Sequence, residues 1–420
     1  MNAQSPVRGA GLLAAGRVGI GPHWLARLFA GGFHRVLDRI DRGLTSGRLE
    51  VTLPDGRSRV LGGRAPGFAA IVDLHQWNAL IRLATGGSVG WYQAWEAGEW
   101  TSPDPVPLFA LFMANAATLG GAARARGPWR LAMRALHALR RNTHGGALRN
   151  IHAHYDLGND FYAAWLDPGM TYSSARFGDL APGPDRLERA QSRKIAQLIE
   201  RLALRPGDRV LEIGCGWGAL AARMAAVTMT PVTAISLSEA QLAWARQHTP
   251  AGAVCFEHRD YRDVTGTFDA VVSVEMVEAV GTAYWPQFLD CVAGSLRPGG
   301  RAAIQYITIR DDLFEAYAAS ADFIQTYVFP GGMLLRESAF RRLAEARGLT
   351  WEGADSFGLD YAETLRLWRE NFDRAVAAGR LPGGFDAQFV RLWRFYLMYC
   401  EGGFRSGGID VAQVTLVKTG

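Results

Sequence analysis

A cluster of three glycines is the first feature of the sequence that suits a chemical role. Gly214, Gly216 and Gly218 stand at alternate positions between a short apolar run and a helical stretch. Glycines at such a junction let the backbone turn tightly and approach a ligand, whose polar end then meets the amides of the following helix. Such a turn can be purely structural, but a strand before it and a helix after it favour a ligand-binding loop.

The residues at the end of the next apolar run indicate which class of ligand this loop binds. A dinucleotide site normally has an acidic residue about 20 residues after the glycines, at the end of the second strand. Here that strand ends in Ile235-Ser236-Leu237-Ser238, which contains no acid. The sequence therefore disfavours NAD, and the spacing of the later strands favours a sheet of the kind that binds S-adenosylmethionine.

Glu278 and Tyr361 are the candidates for holding or moving a proton. A buried acid is either a structural ion-pair partner or a functional group with a shifted pKa, and a lone tyrosine can simply be a core aromatic residue. Their place within the motifs described below favours a functional role for both.

The hydrophobic pattern from about residue 209 predicts the scaffold for these residues. Apolar, β-branched runs alternate with helical stretches, which indicates an α/β fold with a parallel doubly wound sheet and ligands at the carboxyl ends of its strands. The predicted strands cover residues 209–213, 231–237, 254–257, 268–274 and 302–309, and the predicted helices cover 219–226, 239–247 and 283–296. A last run, 411–417, is expected to close the edge of the sheet. Residues 310–350 lack this alternation of strands and helices, which predicts an inserted cap over the site.

Residues 1–125 are predicted to form a separate, smaller α+β domain. Two short strands, 49–53 and 58–61, flank Pro54-Asp55-Gly56 and indicate a hairpin. The apolar stretch 107–119 is too short to cross a bilayer. A buried helix is expected there, and a lipid-facing helix is the alternative.

The composition fits a globular protein of the cytoplasm. The 420 residues are 49% hydrophobic with a formal net charge of +5, which excludes wholesale disorder. The four cysteines lack CxxC spacing, so the sequence predicts neither a disulfide framework nor a metal site, and a reducing compartment fits. No clean signal peptide and no membrane span are expected.

The positive charge is concentrated in one segment. No Asp or Glu lies between Asp104 and Asp156, whereas seven arginines do. Residues 126–150 are therefore predicted to be a basic helical linker, in which 128–141 suits an amphipathic helix. This helix is either solvated between domains or bound to anionic lipid headgroups. Nucleic acid is not expected as a partner, because no zinc-finger, RNP or helix-turn-helix pattern accompanies the charge.

Several motifs in order resemble one known family. The sequences GCGWG (214–218), SLSEAQ (236–241) and DYRD (260–263) look like the cofactor site of cyclopropane-fatty-acyl-phospholipid synthases. Similar too are HYDLGND (154–160), DPGMTYSS (167–174), EMVEAVG (275–281), YVFPGG (327–332), Asp360-Tyr361 and Phe404-Arg405. The resemblance runs from about residue 142 to the C-terminus, with a looser match before it. It implies a Rossmann-like class I methyltransferase domain over residues 151–420 and a lipid- or membrane-associated domain over residues 1–125.

The resemblance also implies roles for individual residues. It implies that S-adenosylmethionine is surrounded by Tyr172, Ser173, Gly214, Gly216, Ser236, Leu237, Ser238, Gln241, Tyr261 and Arg262. It implies a bicarbonate ion bound as the base and held by Glu278, Tyr361 and the backbone of Ile307. Cys400 matches a cysteine often assigned to the active site of the family.

Two positions depart from the family pattern. The family commonly has Cys at the position of Ser174 and often His at the position of Gln305, and both positions contribute to the bicarbonate pocket. A hydroxyl and an amide can still hydrogen-bond to an oxyanion. The position of the ion, and therefore the proton that it removes, stays open.

The implied activity is transfer of a one-carbon unit from S-adenosylmethionine to the cis double bond of an unsaturated acyl chain in a phospholipid. Attack by the alkene on the sulfonium methyl group gives a carbocation, which requires a closed apolar site and a base. A cyclopropane is the expected product, and a methyl- or methylene-branched chain is the alternative. A lipid-binding protein without catalysis and a methyltransferase for a soluble metabolite are further alternatives. The resemblance also implies a homodimer, peripheral on the inner face of the membrane.

Overall fold

The computed structural model describes residues 8–14, 30–120, 157–181, 183–319 and 322–420. These residues form two compact units. Unit 1 comprises Met1–Arg140, Asp312–Pro330 and Gly384–Ile409, and unit 2 comprises Arg141–Asp311, Gly331–Gly383 and Asp410–Gly420. The predicted basic linker, 126–150, lies outside the described residues, and so does the domain boundary predicted at residue 125.

The helices and strands are numbered along the chain. Those before residue 121 are α1 (Ala10–Ala14), α2 (Ala30–Gly43), β1 (Arg48–Thr52), β2 (Ser58–Gly62), β3 (Ala69–Leu74), α3 (Asn78–Glu96), β4 (Trp100–Thr101), α4 (Val106–Ala114) and α5 (Ala116–Leu119). Those from residue 157 to Ser295 are α6 (Asn159–Ala163), α7 (Arg186–Leu202), β5 (Val210–Ile213), α8 (Ala219–Thr228), β6 (Val232–Ser236), α9 (Glu239–His248), β7 (Val254–His258), β8 (Phe268–Val274), α10 (Val277–Val280) and α11 (Trp285–Ser295). The remainder are β9 (Leu296–Ile309), α12 (Asp311–Ala318), α13 (Glu337–Glu345), β10 (Leu349–Ser356), α14 (Gly358–Ala377), α15 (Ala387–Arg405) and β11 (Ile409–Lys418).

Unit 1 contains a four-stranded sheet in the order β2-β1-β3-β4. Strands β1 and β2 pair antiparallel, which confirms the predicted hairpin. Gly56 takes the left-handed φ of 83° that this turn requires. The apolar stretch 107–119 falls within α4 and α5, where Leu108, Phe109 and Leu111 are buried. The expectation of a buried helix there is confirmed.

An aromatic cluster holds later parts of the chain within unit 1. The ring of Tyr92 on α3 lies 5.0 Å from that of Phe323, 4.8 Å from that of Tyr327 and 5.1 Å from that of Phe395 on α15. These contacts draw residues 312–330 into unit 1, whereas residues 331–350 belong to unit 2 and supply α13. The segment predicted as one cap, 310–350, is therefore divided between the units.

Unit 2 contains a seven-stranded sheet in the order β10-β11-β9-β8-β5-β6-β7. The pairs β5–β6, β6–β7, β5–β8 and β8–β9 are all parallel, as the alternating sequence pattern predicted. All four residues of β5 are buried. Leu198 of α7, Met224 of α8 and Val272 of β8 belong to one apolar core. The doubly wound sheet expected from the sequence is confirmed.

The sequence-based prediction was wrong about one sheet edge. The run 411–417 lies in β11, which is enclosed between β10 and β9 instead of closing the edge. The edge strand is β10, which pairs antiparallel with β11. Only one residue of β10, Leu349, is buried, so the strand lacks the apolar run by which the other strands were recognised. Among the described residues, no helix has the length and apolarity needed to cross a bilayer.

Candidate active site

The glycine-rich turn joins β5 to α8 in unit 2, and each of its three glycines has a positive φ. The values are 80° at Gly214, 53° at Gly216 and 85° at Gly218. A Cβ on Gly214 would lie 2.9 Å from the Met276 Cγ, and one on Gly218 would lie 2.8 Å from the Phe256 Cζ, so both glycines serve close packing. A Cβ on Gly216 would meet no protein atom within 4 Å. Gly216 is therefore the point where a ligand can approach the backbone.

The end of β6 supplies polar groups beside this turn. The Ser236 hydroxyl accepts a hydrogen bond from the Ser238 amide at 3.1 Å and donates to the Gln241 Oε1 at 3.3 Å. The Ser238 hydroxyl caps α9 by accepting from the Gln241 amide. The Gln241 Nε2 is buried, and the described residues offer it no acceptor. An unpaired buried donor is costly, so this amide is well suited to a bound polar ligand.

Tyr261 and Arg262 lie in the short turn after β7. The Arg262 guanidinium forms an ion pair with Asp260, and both side chains are buried. Asp260 also accepts from the Arg262 amide at 3.0 Å, which fixes the turn. Burial raises the pKa of the Tyr261 phenol to about 12, so it stays protonated and can donate a hydrogen bond.

Tyr172 and Ser173 are held in place by α7. The Gln191 Nε2 donates to the Ser173 carbonyl at 2.9 Å, and the Lys194 Nζ donates to the Ser173 hydroxyl at 2.7 Å. Lys194 is buried, and loss of hydration lowers its pKa to about 8. The Tyr172 ring packs 5.2 Å from the ring of Trp368.

A carboxylate that the sequence analysis did not select lies at the centre of the site. Glu275 directly follows β8, and its Oε1 accepts from the Ser174 amide at 2.9 Å and from the Gln305 Nε2 at 2.7 Å. Its Oε2 accepts from the Tyr361 hydroxyl at 2.7 Å. Three of the predicted site residues are therefore brought together around Glu275. Its position at the carboxyl end of a central parallel strand was the available sequence signal.

Glu278 lies three residues later, in α10. Its Oε1 accepts a hydrogen bond from the Ile307 amide. Its Oε2 is buried and has no partner among the described residues. Burial, reinforced by the nearby Glu275, raises the pKa of Glu278 to about 8. The Glu278 carboxyl is thus protonated at neutral pH, and the predicted partner Tyr361 donates to Glu275 instead.

Cys400 lies on α15, in unit 1. Burial raises the pKa of its thiol far above the usual range, an effect that the nearby Asp322 strengthens. The thiolate needed for nucleophilic attack is therefore strongly disfavoured. Among the described residues, no group of His, Cys, Asp and Glu side chains has the arrangement of a metal site.

Comparison with known proteins identifies the family. The family described as mycolic acid cyclopropane synthetase matches residues 143–414. The chain belongs to this family. Tuberculostearic acid methyltransferase UfaA1 of Mycobacterium tuberculosis is 39% identical over 382 residues, which cover 85% of this chain and 86% of that protein. The cyclopropane-fatty-acyl-phospholipid synthase of Escherichia coli K12 is 36% identical over 269 residues, which cover 63% of this chain and 66% of that protein.

Solved structures of this family share the fold. The cyclopropane synthase MmaA2 from Mycobacterium tuberculosis aligns with a TM-score of 0.59 and 28% identity, over 64% of this chain and 98% of its own. The mycolic acid cyclopropane synthase CmaA1 complexed with SAH and CTAB aligns with a TM-score of 0.60 and 29% identity, over the same shares. These matches confirm the predicted family and the class I methyltransferase fold. This family member is an S-adenosylmethionine-dependent methyltransferase.

The residues present fit S-adenosylmethionine. Gly216 allows close approach, the unpaired Gln241 Nε2 offers a donor, and the N-terminus of α8 faces the same turn. When bound, the cofactor supplies an electrophilic methyl group.

We expect Gln241→Leu to weaken S-adenosylmethionine binding about tenfold, because leucine removes one hydrogen-bond donor while keeping similar bulk. Isothermal titration calorimetry measures the change. Gln247→Leu is the matched control, since Gln247 lies exposed on the same helix. Equal affinity of the two variants would show that the Gln241 amide does not contact the cofactor.

The raised pKa of Glu278 predicts a pH dependence of stability. Between its usual value of 4.5 and about 8, the folded chain binds a proton that the unfolded chain has released. The contribution of Glu278 to the unfolding free energy therefore falls as pH rises through this window. Glu278→Gln removes that titration, so its stability relative to the native protein should rise between pH 5 and pH 8 by on the order of 3 kcal/mol, then level off.

Urea unfolding at several pH values checks this expectation. Lys194 and Glu212 also have shifted pKa values, but they titrate in both proteins and cancel in the difference. A difference that stays constant from pH 5 to pH 9 would contradict the protonated state assigned to Glu278.

Proposed function

We propose that this methyltransferase transfers the methyl group of S-adenosylmethionine to the double bond of an unsaturated fatty acyl chain in a phospholipid. The names of its relatives support a lipid substrate, since one is a cyclopropane-fatty-acyl-phospholipid synthase and another a tuberculostearic acid methyltransferase. The observation that carries the proposal is a series of aromatic rings running from the cofactor turn to the buried carboxylate of Glu275.

The series begins at Trp217, inside the glycine-rich turn. Its ring lies 5.1 Å from that of Tyr162, which lies 5.4 Å from that of Tyr172. Tyr172 is 5.2 Å from Trp368, and Trp368 is 6.1 Å from Tyr361, whose hydroxyl donates to Glu275. These ring contacts therefore connect the place where a methyl donor fits with a group that can accept a proton.

Such an aromatic environment suits alkene chemistry. A carbon–carbon double bond is a weak nucleophile, and its attack on a sulfonium methyl group leaves a cation on the acyl chain. Aromatic faces stabilise positive charge, and a site without water protects the cation from hydration. Glu275 is buried beside Tyr361, so the proton that must leave has an acceptor within the protein.

The product follows from the carbon that loses the proton and from any hydride shift before that loss. Direct loss from the new methyl group closes a cyclopropane ring, whereas other routes give a branched chain that keeps a double bond. The match to the tuberculostearic acid methyltransferase extends over 85% of this chain, against 63% for the cyclopropane-forming relative. This broader match favours the branched product over the cyclopropane that the sequence analysis placed first. The cyclopropane is the second candidate, supported by the family description.

We expect the purified protein, given S-adenosylmethionine and vesicles of unsaturated phospholipid, to add one CH₂ to the acyl chains. Mass spectrometry detects the gain, and ozonolysis separates the products, because a branched alkene is cleaved and a cyclopropane is not. Vesicles of fully saturated phospholipid are the control and should gain nothing. No mass gain on unsaturated chains, under conditions where S-adenosylmethionine binds, would refute the proposed substrate.

A phospholipid substrate requires contact with a bilayer. We propose that the protein is peripheral on the inner, cytoplasmic face of the membrane, and that a homodimer is the working form. The support for membrane contact is the basic sequence between Asp104 and Asp156, which can bind anionic headgroups at about 1 kcal/mol per charge near the surface.

Replacing Arg130, Arg134, Arg140 and Arg141 by Gln should reduce binding to anionic vesicles at least tenfold in a sedimentation assay, with little change for neutral vesicles. The matched control replaces four exposed arginines elsewhere by Gln: Arg205, Arg223, Arg341 and Arg380. Equal losses in the two variants would mean that net charge alone, not the basic segment, governs binding. Light scattering on the protein without vesicles gives its molar mass in solution and so tests the homodimer.

A further inference from the structure

The backbone at Glu275 is in an unusual conformation. Its φ of 50° lies in the left-handed region, which non-glycine residues rarely adopt. Strain of this kind persists where the surrounding structure enforces it, and it concentrates at functional sites. Glycine would adopt this φ without strain, so the presence of a glutamate here points to a use for its carboxylate.

The hydrogen-bond network favours the ionised form of this carboxylate. Arg201 can only donate, and its Nε donates to the Gln413 Oε1 at 3.1 Å. The Gln413 Nε2 then donates to the Gln305 Oε1 at 3.0 Å. Because these bonds orient both amides, the Gln305 Nε2 must be the group that donates to the Glu275 Oε1. With the Ser174 amide and the Tyr361 hydroxyl, three donors converge on Glu275, which favours its ionised form.

The same donors were the ones implied for bicarbonate. The resemblance assigned that ion to a pocket formed by Ser174, Gln305, Tyr361, Glu278 and the backbone of Ile307. In this structure Ser174, Gln305 and Tyr361 bond to Glu275, and the Ile307 amide bonds to Glu278. Four of these five groups already bond to a carboxylate of the chain, and the fifth, the Glu278 carboxyl, keeps only its Oε2 unpaired among the described residues, so the set does not fit the ion.

We propose that the Glu275 carboxylate replaces bicarbonate as the base, and that it receives the proton which the acyl-chain cation loses. This assignment rests on the proposed function. The π electrons of the double bond form the new bond to the methyl carbon, and the electron pair of the broken C–S bond stays on sulfur. The C–H electron pair left behind when Glu275 takes the proton closes the ring or forms the new double bond. The proton then passes to solvent, so no oxidant or reductant is needed.

Glu278 has a different part in this arrangement. Its carboxyl carries one hydrogen bond from the Ile307 amide, whereas Glu275 carries three. Two carboxylates so close together do not both ionise readily, and the one with more donors keeps the charge. Burial raises the pKa of both groups, and the positive charge of Lys194 acts on Glu275 to oppose that rise. Glu278 is therefore a positioning residue beside the base.

The test compares the full-length protein with Glu275→Gly and Glu275→Gln in buffers purged of carbon dioxide, with and without added bicarbonate. The native protein should keep the same rate of lipid methylation in both buffers. Glu275→Gly should lose about 100-fold in the purged buffer. Bicarbonate should restore much of that rate, because glycine releases the three donors. Glu275→Gln should lose a similar factor and gain nothing from bicarbonate, since its amide fills the pocket without accepting a proton.

A second readout does not depend on turnover. Calorimetric titration with bicarbonate should show binding to Glu275→Gly and none to the native protein. Glu345→Gln, an exposed acid on α13, is the matched control and should behave as the native protein does. Unchanged S-adenosylmethionine affinity in the variants shows that they are folded.

The outcomes separate this assignment from the proposed function. A native protein that binds bicarbonate, or that loses activity when bicarbonate is removed, overturns the role of Glu275 and leaves lipid methylation standing. A Glu275→Gly variant that keeps the native rate in purged buffer also overturns it. If the native protein methylates no lipid at all, the proposed function fails, and the calorimetric result alone still decides which anion the pocket holds.

Discussion

The ionised carboxylate of Glu275, buried at the end of β8, sets the constraint on which the active centre depends. A buried charge is tolerated only when hydrogen-bond donors replace the lost water. Here the donors come from separate parts of the chain: the loop before α7, strand β9 and helix α14. The position of this one charged group therefore fixes where these three segments must meet.

The outer partners of this network give it rigidity. Gln305 is oriented through Gln413 by Arg201, and Tyr361 packs against Trp368. This row of hydrogen-bonded amides ends at the Arg201 guanidinium, which has no acceptor. The donors and acceptors along the row therefore cannot exchange places. The base is consequently held in one orientation before any substrate binds, which lowers the reorganisation needed during reaction.

The two departures from the family pattern become understandable in this arrangement. Ser174 serves Glu275 through its backbone amide, while its hydroxyl donates to the Ala175 carbonyl at 3.1 Å. The identity of that side chain thus has little bearing on the carboxylate. At Gln305 the side chain does matter, since a glutamine joins Gln413 on one side to Glu275 on the other. The Glu275 carboxylate and the Gln305 amide beside it together take the place of bicarbonate.

Local sequence determined much of this protein. Alternating apolar runs predicted the parallel strands of unit 2, and the glycine spacing predicted the cofactor turn. Both features could be predicted because strand periodicity and a positive φ depend on residues that are neighbours in the sequence. The motifs together predicted the family, and they placed Ser174, Gln305 and Tyr361 in one site.

Tertiary structure alone decided the rest. The edge strand β10 is mostly exposed and carries no apolar pattern, and residues 312–330 join unit 1 through aromatic partners distant in sequence. The position of Glu275 at a strand end could be seen in the sequence, but the choice of Glu275 over Glu278 as the centre of the hydrogen-bond network could not. Both acids occur in the motif EMVEAVG, and only packing determines which one meets donors from residues 174, 305 and 361. Sequence patterns report what neighbouring residues prefer, whereas the satisfaction of a buried charge depends on groups that folding brings together from far along the chain.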